Sequence, residues 1–146
     1  MKILICVIAC LVLAVGCSTS PESAAPITSV SAARARWAEG GPGDYRFDFH
    51  RQCFCLPEAV QPVTVEVRGG TIASVLARET GQPVGETPNI EWYSIEDLFR
   101  LIEEAEADGQ QVEVEYSPDG YPRRILIGSL AADAGIEYHV ENVTPL

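Results

Sequence analysis

The densest chemistry in this 146-residue chain is a pair of cysteines one residue apart, Cys53-Phe54-Cys55. Thiols so placed can close a local disulfide or act as a redox pair. With His50 three residues earlier they could instead offer soft ligands to copper or zinc. In an extended strand, residues two apart have Cα atoms roughly 6.6 to 7.2 Å apart. That is the outer limit for a disulfide, so a bridge requires a bend, and Pro57 suits a strand that ends there. A loop this small gains little from constraining the unfolded chain. No neighbouring base or cation is in place to lower a thiol pKa. Strand alternation also puts His50 on the face opposite the cysteines, so a shared metal needs a bulge at Gln52. The bridge is expected first as a structural clip at a strand end, with redox and metal roles as the alternatives.

His50 and His139 are the only histidines. Both fall on the polar side of their strands, and Glu137 and Glu141 flank His139 on that side, so both are expected exposed. No Ser-His-Asp arrangement stands out. A hydrolase would need a pocket that gathers one histidine with carboxylates, and no catalytic residue is assigned. Trp92 and Tyr93, at the end of a long loop, serve either as staples for the following helix or as aromatic contacts for a partner. Tyr121, after the turn Asp119-Gly120, joins them as a partner-binding candidate. No cofactor is implied.

The remaining reactive residue, Cys17, bears on location. Met1-Lys2 is a positive start, and Ile3 to Val15 is apolar throughout. Thirteen residues are too few to span a bilayer, which takes about 20, but they suit a signal-peptide core. The run closes on Leu13-Ala14-Val15-Gly16-Cys17, a small residue before a cysteine, as lipoprotein signal peptidase cuts. Ala14 stands where a leucine is usual, so ordinary secretion is the alternative. The expected organisation is a signal peptide over 1–16, a lipidated Cys17 with a Ser/Pro/Ala tether over 17–27, and one domain over 28–146. In a Gram-negative host Ser18 gives no retention signal, so the outer membrane facing the periplasm is the expected destination.

Processing removes the only lysine and leaves nine arginines against 21 acidic residues. Such a surface repels nucleic acid and anionic head groups. Attachment would rest on the acyl chains, of which stable anchoring takes two or more. The partners expected are the membrane, through the lipid, and another envelope protein. Cys6 and Cys10 leave with the signal, so Cys53 and Cys55 remain as an even pair in an oxidising compartment.

The elements that must hold these residues follow from periodicity. A helix is predicted from Thr28 or Ser29 to Ala38, stopped by Gly40-Gly41-Pro42-Gly43. Tyr45, Phe47 and Phe49 alternate with Arg46, Asp48 and His50 as a strand. Val63 to Arg68 and Thr71 to Ala77 form a hairpin around Gly69-Gly70, with Val67 facing Ile72 and Val63 facing Leu76. Residues 78–93 form a long loop. Ser94 opens a helix with Asp97 three residues on, and Ile95, Leu98, Phe99, Ile102 and Ala105 make its apolar stripe up to Gly109. Val112 to Tyr116 and Tyr121 to Gly128 form a second hairpin, and Ile136, Tyr138 and Val140 mark a last strand. The fold class is α+β: an antiparallel sheet of about six strands with two helices, in the order α-β-ββ-α-ββ-β.

In this order the chain carries Tyr45-x-Phe47, Cys53-Phe54-Cys55-x-Pro57, Val65-x-Val67 with Gly70, Ser94-Ile95-Glu96-Asp97-Leu98-Phe99 and Asp119-Gly120-Tyr121-Pro122 with Ile125. Asp133 follows, shortly before the last strand. The series resembles the domain of unknown function 6174 family, a group found largely in bacterial envelope lipoproteins, over approximately Trp37 to Pro145. The resemblance implies a fold and a location but no activity. Gly128 stands where the family often has an Asp, which argues against an acidic cation site near Asp133. The function expected is therefore an exported, lipid-anchored, non-enzymatic binding domain. A thiol-disulfide or metal-handling protein centred on Cys53 and Cys55 is the first alternative, and a hydrolase the second.

Overall fold

The computed structural model describes residues 26–85, 89–132 and 134–146. Cys17, the leader and most of the tether lie outside the described residues, as does Asp133. No described helix is long and apolar enough to cross a membrane.

The chain runs α1 (Val30–Gly40), β1 (Tyr45–Gln52), α2 (Pro57–Val60), β2 (Val63–Arg68), β3 (Thr71–Ala77), α3 (Ile95–Ala107), β4 (Val112–Tyr116), β5 (Pro122–Ile127) and β6 (Ile136–Pro145). A 3-10 turn at Leu130–Ala132 precedes β6. The expected six-stranded antiparallel sheet is present, in the order β3-β2-β1-β6-β5-β4. The helix count needs correction. A third helix, α2, interrupts the expected β-ββ run, started by Pro57 at its first turn with Glu58 beside it. Proline is at home there because its missing N–H has no helical partner to lose.

α1 and α3 cover one face of the sheet. Tyr45, Phe47 and Phe49 of β1, Val63, Val65 and Val67 of β2, Ile125 of β5, and Tyr138 and Val140 of β6 form the sheet half of the core. Ala33 and Trp37 of α1 and Ile95, Leu98, Phe99 and Ile102 of α3 close over them. The Ser94–Asp97 capping box is complete, so α3 starts where its apolar stripe starts. α1 runs two residues past its expected end, to Gly40.

Gly69 and Gly70 have φ of 55° and 76°, as the two-residue turn between β2 and β3 requires. The register beyond that turn differs from expectation. Val67 does pair with Ile72, but Glu66 pairs with Ser74, and Val63 meets Ala77 rather than Leu76. The extra residue, Ala73, is a β-bulge that turns Val75 toward Val65 and Leu76 to the other face. The long loop is also less free than expected. Gln82 to Val84 run along the outer edge of β3, where the Ala77 N–H donates to the Gln82 carbonyl and the Val84 N–H to the Val75 carbonyl.

Candidate functional site

Cys53, Cys55, His50, His139, Trp92 and Tyr93 gather at the C-terminal end of β1, whereas Tyr121 packs against Trp37. β1 pairs with β6 so that His50 stands directly opposite His139. Arg51 points to the covered face, the His pair to the polar face, and the two cysteines lie just beyond Gln52, where the strand has ended.

Cys53 and Cys55 are bridged, with Cα atoms 5.2 Å apart. The backbone has left the extended path, which brings the pair inside disulfide range. Cys53 is half-buried and Cys55 exposed. Phe54, between them, is 91 % exposed, and Leu56 is 63 % exposed. A large apolar side chain left this far in water is unusual, and here two stand on one short turn.

Below this tip sits a residue the sequence reading passed over. Arg51 is only 8 % exposed. Its guanidinium carbon lies 5.5 Å from the Phe49 ring centroid and 5.1 Å from Trp92. It is 5.7 Å from Tyr93 and 5.8 Å from Tyr138. One terminal nitrogen donates to the Glu91 carbonyl, while Nε has no partner. The negative faces of the rings hold the cation in place of water. Burial lowers the Arg51 pKa, and the nearby tyrosines and Glu91 oppose that shift. Tyr93, whose hydroxyl donates to the Glu91 carboxylate at 3.1 Å, is raised mainly by burial. Trp92 and Tyr93 are thus walls of this box, with one side left on a hollow of about 390 Å³ that Glu91, Asp97, Arg100 and Glu104 also line. The signal for Arg51 was its parity: it is the fourth inward position after Tyr45, Phe47 and Phe49.

On the polar face the His50 and His139 rings stack with centroids 4.4 Å apart and planes 5° from parallel. Both are half-buried rather than exposed, a correction to the sequence expectation. Burial and then the neighbouring His139 push the His50 pKa below its ordinary 6.5, with Arg78 adding to the lowering and Glu141 and Glu137 opposing it. Glu137 Oε1 lies 3.5 Å from His139 Nε2 and also takes the Nε donor of Arg124. A second hollow, of about 380 Å³, brings Tyr121 and His139 together with Glu115, Arg124 and Glu141. A histidine and carboxylates therefore do meet, but Glu115 is paired with Arg123 and Arg124, and no serine or cysteine lines the hollow. Tyr121 also packs edge-on against Trp37 at 5.9 Å, which explains its placement without a partner.

The histidines lie on the polar face of the sheet, while the cysteines lie past the end of β1 and are bridged to each other. Among the described residues, no three or more His, Cys, Asp or Glu side chains are grouped to hold a metal. With both thiols consumed in the bridge, the His50–Cys53–Cys55 ligand set is not assembled.

A second polar cluster links the helices to the sheet at the other end of β1. The Glu96 carboxylate accepts from Trp37 Nε1 at 3.0 Å and from the Tyr45 hydroxyl at 2.6 Å. The Tyr45 oxygen in turn accepts from the Ile95 N–H at 3.1 Å. Burial and then Glu96 raise the Tyr45 pKa strongly, so the phenol stays a donor.

No curated protein and no solved structure matches the chain. One family model does, over residues 29–145, which takes in all three helices, the whole sheet, the bridged tip and the aromatic box. The chain therefore belongs to DUF6174, a family of unknown function.

Proposed function

We propose that this is an exported domain, anchored to a membrane by lipid on Cys17, that binds another envelope protein through the tip formed by Phe54 and Leu56. The observation that carries the reading is the exposure of those two side chains on a turn clipped by its own disulfide. A backbone fixed by a short covalent ring at Phe54, with Leu56 at the cap of α2, loses little freedom on docking, which favours association. Acidic groups outnumber basic ones nearby: Glu58 follows the tip, and the hollow beside Trp92 and Tyr93 carries Glu91 and Glu104 besides the Asp97–Arg100 pair. The fitting partner is a protein with an apolar pocket wide enough for a phenyl ring and a basic rim. Pro26 and Ile27, where the described chain begins, line a hollow with Val114 and Tyr116 of β4. β4 lies three strands from β1, so Pro26 and Ile27 sit away from the tip.

The anchor rests on the leader sequence ending at Gly16-Cys17. In a Gram-negative envelope the domain would sit on the outer membrane and face the periplasm. Two measurements test the proposal. Labelled palmitate should enter the wild-type chain and not Cys17→Ser. A photo-reactive phenylalanine analogue at position 54 should cross-link in cells to one envelope protein through a segment bearing apolar and basic residues. Cross-linking at 54 no stronger than at exposed Glu79 would refute the docking, and a palmitate-free wild-type chain would refute the anchor.

A further inference from the structure

We propose that the bridge at the tip is also chemically active, with Cys55 the sulfur at which a polypeptide thiol seated against Phe54 exchanges disulfides. This rests on the reading of the tip as a docking site and adds a reaction to it.

Three observations support the assignment. The bridge spans residues only two apart in sequence, so it joins points the backbone already holds together. It adds little as a cross-link, in contrast to a bridge that ties two elements. The pair also lies outside the sheet, past the end of β1 and before α2. Cys55 is exposed while Cys53 is half-buried, so an incoming thiolate reaches one sulfur more readily than the other. An exposed disulfide is the labile kind. Finally, the 91 % exposed Phe54 sits between the two cysteines. Any apolar segment that covers its ring is brought within a residue's length of the bridge.

The exchange proceeds in two displacements. A substrate thiolate attacks Cys55 Sγ; a substrate–Cys55 disulfide forms, and Cys53 Sγ departs with the electron pair and takes a proton from water. A second thiolate of the same polypeptide then attacks the substrate sulfur of that mixed disulfide. The substrate disulfide forms and Cys55 leaves as a thiolate, which is protonated in turn. The polypeptide loses two electrons and two protons, and the Cys53/Cys55 pair gains them. The substrate class is a reduced polypeptide with cysteines beside apolar residues, and each oxidised chain carries one equivalent.

The test uses the oxidised mature protein and two short peptides, each with one cysteine, flanked in one by leucines and in the other by serines. Reactions are quenched with iodoacetamide and mapped by mass spectrometry. The leucine peptide should form its mixed disulfide about tenfold faster, the effect of one well-buried apolar contact. The peptide should be found on Cys55 and the alkyl group on Cys53. Phe54→Ser should abolish the leucine advantage while the serine peptide reacts as before. A bridge that stays closed in millimolar peptide, or attachment at Cys53, overturns the proposal. The two readings separate cleanly. An inert bridge with Phe54 still cross-linking to its partner overturns exchange alone. Exchange with no cross-linked partner overturns docking in cells alone.

Discussion

Arg51 occupies a position where strand alternation calls for an apolar side chain, and it satisfies that position with a cation. Its long stem fills core volume and its guanidinium is solvated by four aromatic rings and the Glu91 carbonyl. Removing it should hurt twice, by a cavity and by a box of rings with nothing to face. Arg51→Ala should destabilise the fold by about 3 kcal/mol. Arg51→Met, which restores most of the volume and orphans mainly the Glu91 carbonyl, should cost about 1 kcal/mol. Urea unfolding of the two variants decides it: equal losses would mean the rings recognise bulk and not charge. On the opposite face, His50 has a folded pKa below 6.5. The unfolded chain therefore takes up its proton first as pH falls, so His50 contributes stability that is full above about pH 6.5 and is lost below it. The groups facing it are His139, Glu141, Arg78 and Glu137. The loss in urea midpoint between pH 7.5 and pH 5.5 should be smaller in His50→Gln than in wild type. Identical losses would show that the stack plays no part. Neither site was legible in full. The cysteine pair and the inward aromatics could be read from spacing. The box draws Trp92, Tyr93 and Tyr138 from two other segments, and the His stack depends on a register between residues about ninety apart, which no local pattern contains.

Among the elements, α3 carried the clearest signal, since its cap and its stripe agree on where it begins and what it buries. α2 was missed because four residues hold no period, although Pro57 and Glu58 are what a helix start asks for. The β3 register was misread because a regular hairpin with a two-residue turn predicts Val63 opposite Leu76. Only the bulge at Ala73 moves the match to Ala77. What fastens the elements to one another is more local than the core. Through Glu96, α3 holds the indole of α1 and the phenol of β1 at once. Glu96→Ala leaves two part-buried donors without an acceptor and should cost about 2 to 4 kcal/mol. Glu96→Gln, which keeps one acceptor oxygen, should recover part of that. A Glu96→Ala chain as resistant to urea as wild type would show that water replaces the carboxylate at no cost.

For the whole molecule, composition gave the acidic surface, and periodicity with the order of elements gave the fold class and the two hairpins. It did not give the arrangement of the sheet. The strands nearest the middle, β1 and β6, come from opposite ends of the domain, separated by every other element except α1. Until residues 136–145 are present, β1-β2-β3 and β4-β5 have no shared ladder and the box around Arg51 lacks its Tyr138 wall. Joining ends so distant in sequence is slow compared with forming local turns. A polypeptide threaded through a translocation channel from its amino end would thus stay unable to knit its middle seam until the last stretch had crossed. If the chain is exported as proposed, the topology itself would delay premature closure during passage.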